Sequence, residues 1–176
     1  ILLLGNTLCP MNYTDNPFPF RQDSSFLYYF GLDSPNLAAV IDLDNCTDII
    51  FGNDMTAEDA IWSKAEEDLT DRAMKVGVNY VKPLKELEAI LKEAISKQKK
   101  IHTLPPYQAN QTLTIHRLTG LAPEQVSQFV SEQLIKAIVA QRSYKSEEEI
   151  AQIEEAIDIT YDMHVEAIRL TRPGIY

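Results

Sequence analysis

Cysteine is scarce in this chain of 176 residues: there are two, Cys9 and Cys46, and no CxxC spacing. That excludes a disulfide framework and a Cys-based zinc site. Two free thiols in a reducing, cytoplasmic setting are expected. Basic residues are outnumbered, 16 Lys and Arg against 26 Asp and Glu, for a net charge of −10. A nucleic-acid or anionic-membrane partner needs a basic stripe, and none is present. Lys97 to Lys100 form the one basic cluster; it is broken by Gln98 and sits at a helix end, where cations suit the dipole. No apolar run approaches the roughly 18–20 residues of a membrane span. The three histidines, His102, His116 and His164, lie far apart and outside any HExxH spacing. Neither a GxSxG elbow nor a His partner accompanies Thr7, Ser24 or Ser25, so no nucleophilic triad is read here. The opening Ile1-Leu-Leu-Leu-Gly5 lacks the charged flank of a signal peptide and an initiator Met. It reads as a strand, with further chain expected upstream.

What is present alternates between strands and helices. Short apolar or aromatic runs predict strands at Ile1–Gly5, Phe26–Gly31, Ala38–Leu43 and Asp48–Phe51, with shorter ones at Tyr80-Val81 and Ile101–Leu104. Asp44-Asn45-Cys46-Thr47 joins two of them as a hairpin. Helices are expected after Thr56, from Leu84 to about Lys97, over Leu113–Leu118 and over Glu124–Val139. A long amphipathic helix follows Ser146, with Glu149 completing a capping box and Ile150, Ile153, Ile157 and Tyr161 on its apolar stripe. Pro173-Gly174 ends it. This order predicts an α/β fold, a mixed sheet flanked by helices and followed by a long C-terminal helix.

Two stretches carry more than fold. In Asp15-Asn-Pro-Phe-Pro-Phe-Arg21, Pro17 and Pro19 stiffen a loop that presents Phe18, Phe20 and Arg21 as the rim of a cleft. Asp42 and Asp44 flank Leu43 and share a strand face. Such a pair can hold Mg²⁺ in a nuclease, but the acidic chain has no groove for a phosphate backbone. The pair is read as the lead-in to a turn.

The run from Phe18 to Gly31, Phe-Pro-Phe-Arg-Gln-Asp-Ser-Ser-Phe-Leu-Tyr-Tyr-Phe-Gly, closely resembles the Y-P-[YF]-R-Q-[DN]-S-x-F-x-Y-x-[TF]-G stretch of aminopeptidase P, the Xaa-Pro aminopeptidases of the creatinase/prolidase superfamily. Arg142, Lys145, Ser146, Glu149, Ile150, Ile153, Ala156, Ile159 and Thr160 resemble a second superfamily pattern, and Arg172 to Tyr176 a third. The resemblance implies an RNase H-like N-terminal domain over residues 1–140. Residues 141–176 would be a linker and the first helix of a pita-bread catalytic domain. It further implies a parent enzyme that hydrolyses the N-terminal Xaa-Pro bond of peptides, using two divalent metal ions, manganese by resemblance. Their Asp, Asp, His, Glu, Glu ligands belong to the later domain, and none of those motifs occurs here. A homo-oligomer is implied as well, in which this domain from one subunit reaches the active site of another.

Asp15, Phe20, Arg21 and Trp62 are thereby candidates to border a substrate channel, with no catalytic or metal-binding residue in this chain. Two of these roles have local alternatives: Asp15 and Arg21 as an ion pair holding the loop, and Trp62 as a core residue. The family commonly has Gly soon after its Trp, where this chain has Ser63-Lys64. Other readings are the N-terminal domain of a prolidase acting on dipeptides, and a non-enzymatic assembly or peptide-binding module.

Overall fold

Two alternating apolar sets on the strands require helices on both faces of the sheet. The computed structural model describes residues 1–56, 61 and 67–175, leaving aside the side chain of Gln128. Leu2–Leu4 (β1), Ala38–Asp42 (β2), Thr47–Gly52 (β3) and Tyr80–Pro83 (β4) form one sheet in that spatial order. The β1–β2 and β2–β3 pairs are antiparallel, and β3–β4 is parallel. Side chains alternate across a strand, and the register sorts them. Leu3, Ala39 and Ile50 face one side, while Leu2, Ala38 and Phe51 face the other.

Helices Ser24–Phe30 (α1) and Leu69–Lys75 (α2) cover the first face through Phe26, Phe30, Leu69 and Ala73. Leu87–Ser96 (α3) and Ala109–Thr119 (α4) cover the second through Leu87, Leu91 and Leu118. Phe26, Ile50 and Phe51 are wholly buried; each contributes about 1.5–3 kcal/mol by leaving water. The result is a mixed sheet between two helical layers.

The strand expected at Phe26–Gly31 is instead α1. Aromatic density suggests a strand, but the flanking residues decide otherwise. Asp23 accepts the amides of Ser25 and Phe26 at 2.9 and 2.8 Å, capping the helix start. Gly31 closes the end at φ 62°, its amide donating to Leu27 O. Phe26 and Phe30, four apart, then fall on one buried face with ring centroids 5.1 Å apart.

Ile101–Leu104 also differs. Thr103 makes single bridges to Leu2 and Val130, and the two following prolines cannot extend a ladder. The helix expected over Glu124–Val139 splits into a 3₁₀ segment, Pro123–Phe129, and Glu132–Ser143 (α5). Val130 is extended between them, and Ser131 Oγ accepts the Leu134 amide at 3.2 Å to start α5. The helix expected after Thr56, Trp62 with it, lies outside the described residues.

The chain divides into two compact units, Ile1–Ile135 and Lys136–Tyr176. The second contains Glu147–Leu170 (α6), begun by a reciprocal capping box. Glu149 N donates to Ser146 Oγ at 3.2 Å, and Ser146 N to Glu149 Oε2 at 2.9 Å. None of its residues is buried, and Ile150, Ile153, Ile157 and Tyr161 are all exposed.

Candidate peptide cleft

The stiffened loop is held by its own backbone. Phe18 N donates to Cys9 O and Met11 N to Asn16 O, both at 2.9 Å, and Pro10 bridges Pro17. This short antiparallel ladder sets Phe18 and Phe20 at the mouth of a cleft of about 350 Å³. Arg21, Thr7 and Tyr107 complete its rim.

Beneath it lies a buried polar network. Gln22 makes four side-chain bonds: Oε1 accepts the Asn6 and Asp23 amides at 2.7 and 2.9 Å, and Nε2 donates to Leu32 O and Ser34 O at 3.2 and 2.8 Å. That uses all the capacity of a primary amide. Asn6 Nδ2 donates to Arg21 O at 2.9 Å, while its Oδ1 accepts from Tyr107 Oη at 3.0 Å and Gln111 Nε2 at 3.2 Å. Arg21 is thus anchored at its backbone and exposed at its side chain. The Asn6 network holds the hydroxyl of the largely exposed Tyr107, and its pKa is pushed up by desolvation first and then by the Asp23 carboxylate.

The structure brings Phe20 and Arg21 together on this cleft. Asp15 is exposed near the loop tip and does not line it. Arg21 donates to Ser24 Oγ at 3.3 Å, and among the described residues it makes no ion pair with Asp15. Trp62 lies outside the described residues. Sequence reading missed Tyr107 and Asn6. Pro105-Pro106 before Tyr107 was the available signal, since it stops the chain from continuing as a strand and turns the ring toward Asn6.

The other candidates have structural roles. Asp42 Oδ1 accepts the amides of Asp44 and Asn45, and its Oδ2 the Asn45 side chain at 2.8 Å. That last bond chiefly holds its carboxyl below the usual range. Asp44 pairs with Lys99 at 2.8 Å. His102 Nδ1 lies 2.6 Å from Ser131 Oγ, and His116 Nδ1 2.5 Å from Leu121 O. Among the described residues, no group of three or more His, Cys, Asp or Glu side chains could hold a metal ion. No described helix is long and apolar enough to cross a membrane.

Three comparisons bear on this geometry. The family model described as Aminopeptidase P, N-terminal domain matches residues 1–102. A probable Xaa-Pro aminopeptidase of Aspergillus fumigatus is 26% identical over 164 residues, covering 92% of this chain and 33% of the relative. The chain thus spans about a third of the length of the curated relatives it matches. Among solved structures, an aminopeptidase of Pseudomonas aeruginosa superposes with a TM-score of 0.74 at 18% identity, over 99% of this chain and 41% of its own. A zinc-substituted Escherichia coli aminopeptidase P in complex with product gives 0.71 at 20%, with the same coverage. At these identities the structural likeness speaks for the fold.

Proposed function

Since the chain belongs to the aminopeptidase P N-terminal domain family, we propose that it supplies the non-catalytic, substrate-shaping part of a Xaa-Pro aminopeptidase. One observation carries this reading: the cleft that sets Phe20 and Arg21 side by side over a fully bonded polar floor. Rigid aromatic and cationic groups at a cleft mouth suit an extended peptide. The parent enzyme would remove the residue preceding Pro at a peptide N-terminus, and the curated relatives carry the aminopeptidase name. Residues 1–140 act as the N-terminal domain and 141–176 as the linker and first helix of the catalytic domain.

The described residues do not fit a metal pair. The two divalent ions that the reaction class implies, manganese in our reading, would be held by residues outside this chain. Phe20 and Arg21 border the peptide path at this cleft and Asp15 away from it, Trp62 is a further channel candidate, the enzyme works as a homo-oligomer in the cytoplasm, and this chain's side chains bind and orient without touching the reacting bond.

Kinetics of the full-length protein test this. Truncating a side chain that grips the peptide away from the scissile bond weakens transition-state binding and lowers kcat/KM. Trp62→Ala and Phe20→Ala should each reduce it by about tenfold, or about 1.4 kcal/mol, with Tm nearly unchanged. A core Trp would instead cost about 3–5 kcal/mol of stability. Falling Tm with unaltered kcat/KM would overturn the channel reading. Cleavage of Xaa-Pro dipeptides alone, with longer peptides untouched, would assign the parent to the prolidases.

A further inference from the structure

Among the described residues, Arg21 is the one charged side chain that lines the cleft. Its guanidinium donates to Ser24 Oγ and takes part in no ion pair with any of them. This is unusual company in a chain of net charge −10, where acidic partners are plentiful. The nearest acid in sequence, Asp23, is engaged with the amides that begin α1 and with the Tyr107 hydroxyl. It borders a small adjoining cavity that shares Tyr107, not the cleft itself. A planar guanidinium left open beside Phe18, Phe20 and Tyr107 matches a planar carboxylate next to an apolar or aromatic side chain.

Size and sign narrow the ligand further. About 350 Å³ is at the small end of ligand pockets, which suits the end of an extended peptide. Arg21 lines it, while Asp23 is already engaged by the α1 amides and the Tyr107 hydroxyl, so the end it favours is the carboxyl one. We propose that this cleft binds the C-terminal carboxylate of a short peptide. The carboxylate sits on Arg21, and the last side chain lies against Phe18, Phe20 and Tyr107. The proposal rests on the channel reading above and adds which end of the peptide the cleft receives. Because the floor is held by Gln22 and Asn6, the site is preorganised and little ordering opposes binding.

The test titrates the 176-residue chain with acetyl-Ala-Pro-Phe and with its C-terminal amide, followed by NMR. Acetylation removes the competing amine. The free acid should bind about tenfold more tightly than the amide, equal to about 1.4 kcal/mol, and shift the Arg21 and Tyr107 side-chain resonances. Arg21→Gln should bring the acid down to the amide's affinity, and Arg21→Lys should keep part of the difference, since it retains charge but loses the fork. Unchanged thermal melts would show that both variants fold. Equal binding of acid and amide, an acid preference that survives Arg21→Gln, or no binding of either at about 10 mM would each overturn the proposal. An acid preference found while Trp62→Ala leaves kcat/KM intact would keep the carboxylate site and remove the channel reading. Kinetic loss at Trp62 without acid preference would do the reverse.

Discussion

The side-chain oxygen of Gln22 accepts the backbone amide of Asn6 at 2.7 Å. Through this bond the segment that leaves β1 is tied to the turn that enters α1, and the cleft floor becomes part of the core. Gln22→Leu keeps similar volume but strands the amides of Asn6 and Asp23 and the carbonyls of Leu32 and Ser34. Buried groups left without partners cost about 1–3 kcal/mol each before relaxation. We expect a loss of about 3 kcal/mol or more, read as a lower urea midpoint with an unchanged m-value. A loss below about 1 kcal/mol would show that water replaces the amide.

Gly52 ends β3 against two leucines. A Cβ there would stand 2.6 Å from both Leu37 Cδ2 and Leu69 Cδ2. Gly52→Ala should cost about 1–3 kcal/mol by overpacking. Leu69→Ala vacates part of that space, so the double variant should be more stable than the sum of the single losses. Strict additivity would place the clash elsewhere.

His102 gives the fold a pH dependence with a defined sign. Burial, followed by the nearby Lys100, lowers its pKa from the ordinary 6.5. The unfolded chain therefore takes up this proton first as pH falls. Above 6.5 the group contributes nothing to the slope; below it, stability declines until the folded-state pKa is passed. Denaturation at about pH 7.5 and about pH 5.5 should show the wild type losing more than His102→Gln. Equal losses would mean that carboxylates elsewhere account for the whole effect.

The helix α6 buries no residue along its length, and helices without a packing partner are marginal in water. In dilute samples, amides from Ile150 to Arg169 should exchange far faster than those of Ile50 and Phe51. At higher concentration the stripe of Ile150, Ile153, Ile157 and Tyr161 should pair between copies and gain protection. A strict monomer with protected amides would refute this. Ser146→Ala, which removes the cap, should lower helicity at a cost of about 1 kcal/mol.

Legibility in the sequence followed the range of the interactions. The hairpin of β2 and β3 and the Ser146 cap are decided within a few residues, and both were readable. Over Phe26–Phe30 aromatic content argues for a strand, and Asp23 and Gly31, the two residues that open and close the helix, override it. The aromatic loop announced a cleft through Phe20 and Arg21, yet its floor depends on Asn6 meeting Gln22 and Tyr107. Pairings across such separations leave no local pattern. Asp15 shared the motif without sharing the cleft, since the loop ladder sets it near the tip.

The amide of Leu2 donates to the carbonyl of His102 at 2.8 Å, and Leu2 bridges Thr103. During synthesis this bond cannot form until His102 has left the ribosome. At about 5–20 residues per second, β1 waits for seconds beside a β2–β3 hairpin that closes in microseconds. The outer backbone edge of β1 stays unpaired for that interval. The outer edge of β1, whose other edge pairs with β2, is therefore closed late, and a nascent polypeptide halted before His102 would present that unpaired edge to whatever meets it.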